Sequence, residues 1–198
     1  MNMPFQNFDA QLFQFRDKLE TIVKIPSGNV DCVASKIANE IENNKGVLRD
    51  KIMLASPIPL ETRLEELNSF QTMMDTFNNL KPLPEIIRTQ VITQNYICFV
   101  YLKDTLFDVL RKNSEKGSVT KICTNFLLEN PVRSFRNAIA HGNWKFNQDY
   151  TGIEFWARKG GNSGDPLTKF LVLQSELGFW QMLARAVAYT AYLKLTGK

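Results

Sequence analysis

The chain is poor in groups that hold metals. It has a single histidine, His141, and three cysteines, Cys32, Cys98 and Cys123, with no CxxC pair among them. One imidazole cannot complete a Cys/His zinc set, and an odd number of scattered thiols does not describe a disulfide framework. The thiols are therefore expected to be reduced core residues of a cytoplasmic protein, with no cofactor. Long apolar runs are missing too. The longest uncharged one, "VITQNYICFVYL" from Val91 to Leu102, falls well short of the about 20 residues that span a bilayer. It is expected to be a buried element, and no membrane partner is expected. "MNMPFQNFDA" has neither a basic start nor a continuous apolar core, so no secretory leader is expected. "GGNSG" carries no P-loop lysine and follows no strand-to-helix pattern, which sets nucleotide cradling aside. No repeat, low-complexity tract or interdomain linker is visible.

What is present is an ordinary globular composition, 198 residues at 44% hydrophobic and 22% charged, enough for one domain with a real core. The net charge of +4 is unevenly placed. Between Arg111 and Lys159, nine Lys/Arg face four Asp/Glu, so the whole excess sits there. A basic zone suits a polyanionic partner, though it also describes a normal solvated surface.

Most of the chain has helical periodicity. Phe8, Leu12, Phe15, Leu19 and Val23 fall on one face, and Pro26-Ser27-Gly28 ends that helix. Val30, Val33, Ile37 and Ile41 repeat the pattern, with Gly46 as the expected stop. Pro57 and Pro59 make a loop, and a third helix starts near Pro59. A long helix is expected from Pro84 to about Arg111, buried all round in its middle. "VTKICTNFLLEN" is a short helix, and a final one runs from Ser175 to about Lys194. Between them "GIEFWARKGGNSGDPLTKFLVL" has two β-type runs around a loop, a hairpin at about 152–173. The expected fold is mainly all-α, a helical bundle with a small β-hairpin before the last helix. It is read as one domain over 1–198, with N-terminal helices in 1–80 and a core in 84–198.

The chemistry concentrates in "RNAIAHG", residues 136–142. Asn130 can cap a helix that Pro131 opens and Gly142 closes, so the motif helix is expected at 131–142. Val132, Phe135, Ala138 and Ile139 anchor one face. Asn137 and His141 are four apart and neighbours along one side. Arg136 lies roughly 140° round from His141 at about 100° per residue and flanks the same groove from the side. Arginine offers a permanent cation with a fork matched to phosphate. Imidazole is titratable, and an amide beside it can fix its tautomer. Together these suit phosphodiester cleavage. The same residues could also close a helix C-terminus with no chemistry at all.

On these residues the chain resembles the HEPN superfamily, whose nuclease members carry Arg, four to six intervening residues and His, with a polar residue after the Arg. Arg136, Asn137 and His141 fill those three places, and the motif lies late in a helical chain with one long helix behind it. The resemblance is specific only in the C-terminal part; residues 1–80 match it only in being helical. It implies a metal-independent ribonuclease, commonly of toxin–antitoxin or phage-defence systems, in which two protomers bring their motifs to one cleft. It implies His141 as acid/base, Arg136 as phosphate clamp and Asn137 as orienter. RNA contacts are expected from Ser134 and Asn143 beside the motif, from Trp144 and Lys145 after it, and from Arg158 and Lys159 in the hairpin. The competing expectation is a catalytically silent HEPN-like module that binds a partner protein or nucleotide. An antitoxin or nucleotidyltransferase is a possible partner in either case.

Overall fold

A computed structural model describes residues 9–21, 24, 29–78, 84–158 and 164–197. Helices α1 (Asp9–Thr21), α2 (Val30–Asn43), α3 (Lys45–Ala55) and α4 (Leu60–Asn78) come first. Helix α5 (Pro84–Asn95) continues through two wide-turned π segments, Tyr96–Tyr101 and Lys103–Phe107, into α6 (Asp108–Asn113). Then follow α7 (Val119–Leu128), α8 (Val132–Ala140), three strands and α9 (Gln174–Thr196). The strands β1 (Trp144–Phe146), β2 (Gly152–Arg158) and β3 (Leu167–Leu173) form one antiparallel sheet in the order β1-β2-β3.

The predicted apolar faces become the core. Phe15 and Leu19 of α1, Val33, Ile37 and Ile41 of α2, and Leu177, Trp180, Leu183, Val187 and Ala191 of α9 are all buried in one cluster. The predicted helix residues Phe8 and Val23, and the predicted stop at Pro26-Ser27-Gly28, lie outside the described residues. Gly46 does not stop a helix. It sits in the first turn of α3, where the chain restarts after one residue at Asn44, and early turns tolerate glycine because few intrahelical bonds depend on them. Pro59 behaves as expected: its carbonyl accepts the first bond of α4, from the Arg63 amide at 3.1 Å. Cys98 and Cys123 are buried, and burial pushes both thiols up, Cys98 to about 12. Cys32 departs from the expectation. It is exposed, because it lies on the outer side of α2 while Val33 takes the inner place.

The long helix from Pro84 is continuous, but "YICFVY" and "KDTLF" are wound wide. Such π turns are rare inside α-helices and often accompany functional sites. Here the first one packs against α8, with Phe99 edge-on to Phe135 at 5.9 Å. The sheet has a third strand beyond the hairpin, β1, which begins two residues after the motif's glycine. Among the described residues no helix is long and apolar enough to cross a membrane.

Candidate active site

Helix α8 has two sharply different sides. Val132, Ser134, Phe135, Ala138 and Ile139 are buried, whereas Arg133, Arg136, Asn137, Ala140 and His141 are exposed or half-buried. At about 100° per residue, the five outward positions occupy one continuous arc of about 140°. Arg136 and His141 stand at its edges, with Ala140, Arg133 and Asn137 between them. Ala140, the one small residue of the five, lies between Arg136 and Arg133 around the arc.

The buried side is an aromatic joint. The Phe135 ring is edge-on to Phe155 of β2 at 5.3 Å and to Trp180 of α9 at 5.9 Å, besides Phe99. Three elements therefore meet on one side chain, which fixes the rotation of α8 and hence which residues face out. The helix starts one residue later than expected, at Val132 rather than Pro131. Asn130 does not cap it as expected: Pro131 takes the cap position without a side-chain cap bond, and the Asn130 side-chain oxygen instead accepts from the Ser134 hydroxyl at 2.8 Å. Ser134 is 5% exposed and occupied by that bond, so it faces the interior, away from the stripe.

The C-terminal end is closed by Gly142 at φ +69°, where a Cβ would be strained. The Gly142 amide donates to the Ile139 carbonyl at 3.3 Å, and the Asn143 amide to that of Ala138 at 2.8 Å. This paired closure is a Schellman turn. His141 thus ends the helix as an exposed residue whose backbone is bonded, with its amide on the Asn137 carbonyl at 3.1 Å. The Asn143 carbonyl then accepts the Trp156 amide at 2.9 Å. That bond ties the motif to β2, with Arg158 two residues further along the strand, exposed and donating to the Asp165 carbonyl.

Asn137 is placed beside His141 along the helix, but its bonding differs from the expectation of an amide on the imidazole. Its side-chain oxygen accepts Nε of Arg136 at 3.3 Å and Nη2 at 3.0 Å. Nη1 of Arg136 is buried with no hydrogen-bond partner among the described residues. Burial and the neighbouring Arg133 guanidinium pull the Arg136 pKa down, while Asp104 and Asp108 of the adjacent π segment and α6 oppose this. The aspartates are themselves held by cations. Asp108 pairs with Lys103 and Arg111, both at 3.0 Å, and Asp104 pairs with Lys103. Sequence reasoning passed over Arg133, Asp104 and Asp108. The three-residue spacing from Arg133 to Arg136 was a usable signal; the approach of the aspartates depends on packing between distant segments.

The aromatic–basic run after the motif divides between the two faces of the sheet. Trp144 and Phe146 pair with Phe155 and Ile153 and pack against the core. Lys145 pairs with Glu154 on the other face, 3.2 Å from its carboxylate, and Lys169 shares that carboxylate at 3.3 Å. Burial opposes ionisation of Glu154, but the two ammonium groups outweigh it and hold the carboxyl below its usual range. Lys159 lies outside the described residues. The stripe on α8 therefore brings together Arg136, Asn137 and His141, with Asn143 adjoining. It does not gather Ser134, and Trp144 is turned largely inward.

A helical bundle whose late helix carries Arg-Asn and His on its outer face, closed by glycine and followed by a long final helix, has the features of a HEPN-type module. The family model described as HEPN pEK499 p136 matches residues 1–191. The chain belongs to that HEPN family, and the match extends through the N-terminal helices, where the motif gave no guidance. No curated protein and no solved structure matches the chain.

Proposed function

We propose that this HEPN protein is a metal-independent endoribonuclease. The observation that carries the reading is the exposed stripe of α8. The fold buries the opposite side of the helix and leaves an imidazole, an amide and a guanidinium together in solvent reach. His141 takes the proton of a ribose 2′-OH, and O2′ attacks the adjacent phosphorus. The bond from phosphorus to O5′ breaks, and O5′ receives a proton. The products are a 2′,3′-cyclic phosphate and a 5′-OH end. Arg136 neutralises the charge that grows on the phosphate oxygens, and Asn137 holds the guanidinium in place. One histidine serves each chain, so a second copy across a two-fold axis supplies the other proton-transfer group. The homodimer is part of the proposal. So are a cytoplasmic toxin–antitoxin or phage-defence setting and an antitoxin or nucleotidyltransferase partner. Asn143, Arg158 and Lys145 are proposed RNA contacts, and Lys159 is proposed with them from its place in the sequence.

A second reading is favoured by one detail. The Arg136 fork is turned onto Asn137 and partly enclosed, as suits a silent module that binds a protein or nucleotide. RNA cleavage by wild type and His141→Ala, each with and without a chelator, separates the two. The expected loss on substitution is about 10²–10⁴-fold, the usual worth of general acid–base catalysis, with no effect of chelator on the wild type. Equal cleavage by the variant would overturn the catalytic role of His141. No cleavage by wild type over a range of RNAs would favour the silent module.

A further inference from the structure

The outward side of α8 holds a second guanidinium that the motif does not include. Arg133 is exposed and lies three residues before Arg136, within the arc that runs from Arg136 to His141. Residues three apart on a helix are neighbours, with Cβ atoms about 5–6 Å apart. Its backbone amide is bonded to the Glu129 carbonyl at 2.8 Å, while its side chain has no ion pair or hydrogen bond among the described residues. The contrast with nearby cations is sharp. Lys103 and Arg111 are paired with Asp104 and Asp108, Lys145 and Lys169 share Glu154, and Arg136 is held by Asn137. Arg133 also stands close enough to Arg136 for the two charges to repel. Two guanidiniums side by side can be joined by one polyanion, and arginine is suited to bidentate phosphate contact.

We propose that Arg133 binds the phosphate next to the scissile one, so that the site takes an RNA strand of at least two successive phosphates. This rests on the ribonuclease reading of the same stripe. Arg136 and His141 address the reacting phosphodiester. Arg133 grips the neighbour, fixes the strand along the helix and contributes to binding more than to the chemical step.

The test compares wild type and Arg133→Ala on two substrates, a decaribonucleotide and a dinucleoside monophosphate, which has no second phosphate. The expected result is a KM on the decamer raised about tenfold with kcat nearly unchanged, and equal kcat/KM of both proteins on the dinucleotide. Arg133→Lys should recover part of the loss. A binding arm uses a fluorescein-labelled decamer with His141→Ala and with Arg133→Ala/His141→Ala. Its log–log salt slope should fall by about 0.7 in the double variant, the value for one phosphate contact to a single strand. Wild type that cuts the decamer, with Arg133→Ala matching it in KM and salt slope, would overturn the proposal and leave the ribonuclease reading intact. Wild type that cuts no RNA while the binding arm still loses one contact would sink the ribonuclease reading and keep Arg133 as a phosphate ligand. Failure of His141→Ala to bind the decamer even at low salt would overturn the proposal outright.

Discussion

The two sides of α8 are a few ångströms apart and obey different rules. On the inward side, the residues are buried and accounted for by the core. Phe135 meets Phe99, Phe155 and Trp180, and Ser134 meets Asn130. On the outward side, the fold uses little of what is there. The His141 ring makes no hydrogen bond among the described residues, and Arg133 has no paired charge among them. Packing demands apolar volume and satisfied polar atoms. It does not demand an imidazole and two guanidiniums around an exposed alanine. The difference teaches that stability and chemistry are separable on this helix, one element serving as anchor on one side and as site on the other.

The largest expected effect breaks the anchored side. Phe135→Ala removes a ring that is 0% exposed and joins three elements. A loss of about 3–5 kcal/mol is expected, as for large-to-small core aromatic changes, read from urea unfolding. The outward His141→Ala should stay within about 0.5 kcal/mol, as surface changes do. If the two substitutions destabilise equally, the separation of the two sides is wrong.

The anchored side was also the legible one. Phe15, Leu19, Val33, Ile37, Phe135 and Ile139 could be placed inside from spacing alone, because a helix face needs only a period of 3.6. The pairing of β2 with β3 followed from two β-type runs around a turn. Strand β1 was not legible. Three residues cannot display alternation, and its pairing with β2 depends on contacts that spacing does not show. The π segments were hidden for a related reason: "YICFVY" carries no residue pattern that separates a π turn from an α turn, and only the structure shows it wound wide beside Phe135. On the outward side, spacing correctly made Asn137 and His141 neighbours. It could not foresee that Asn137 would turn to Arg136, since which neighbour wins an amide depends on rotamers and on local charge. Trp144 is expected among the RNA contacts, and its inward turn depends on the register that pairs it with Phe155.

A middle-sized effect lies at the joint between the sides. Gly142 adopts φ +69° with nothing within 4 Å of a built Cβ, so alanine there meets backbone strain alone. Gly142→Ala should cost about 1 kcal/mol. Gly178 is the control. It is exposed inside α9, with equally open space around it and no positive φ. Gly178→Ala should stabilise by about 0.5–1 kcal/mol through helix propensity. Opposite signs in thermal melts would show that Gly142 is required by the turn that presents His141, and equal signs would remove that role.

The smallest effect concerns the sheet on which α8 rests, and it depends on pH. Glu154 is held below the ordinary carboxyl range, its burial being outweighed by Lys145 and Lys169. A depressed folded pKa means that the unfolded chain binds the proton more readily. The stabilisation is therefore complete above the unfolded glutamate value of about 4.3. It fades as pH falls through that value and is lost below the folded one. Lys145 is well exposed and Lys169 partly so, so screening keeps the contribution to about 0.5 kcal/mol. Glu154→Gln should lower stability slightly at pH 7 and converge on wild type in strong acid, with 1 M salt reducing the difference at neutral pH. A pH-independent gap between the two proteins would mean that Glu154 acts by shape or hydrogen bonding, and that β2 is held beneath the motif by packing alone.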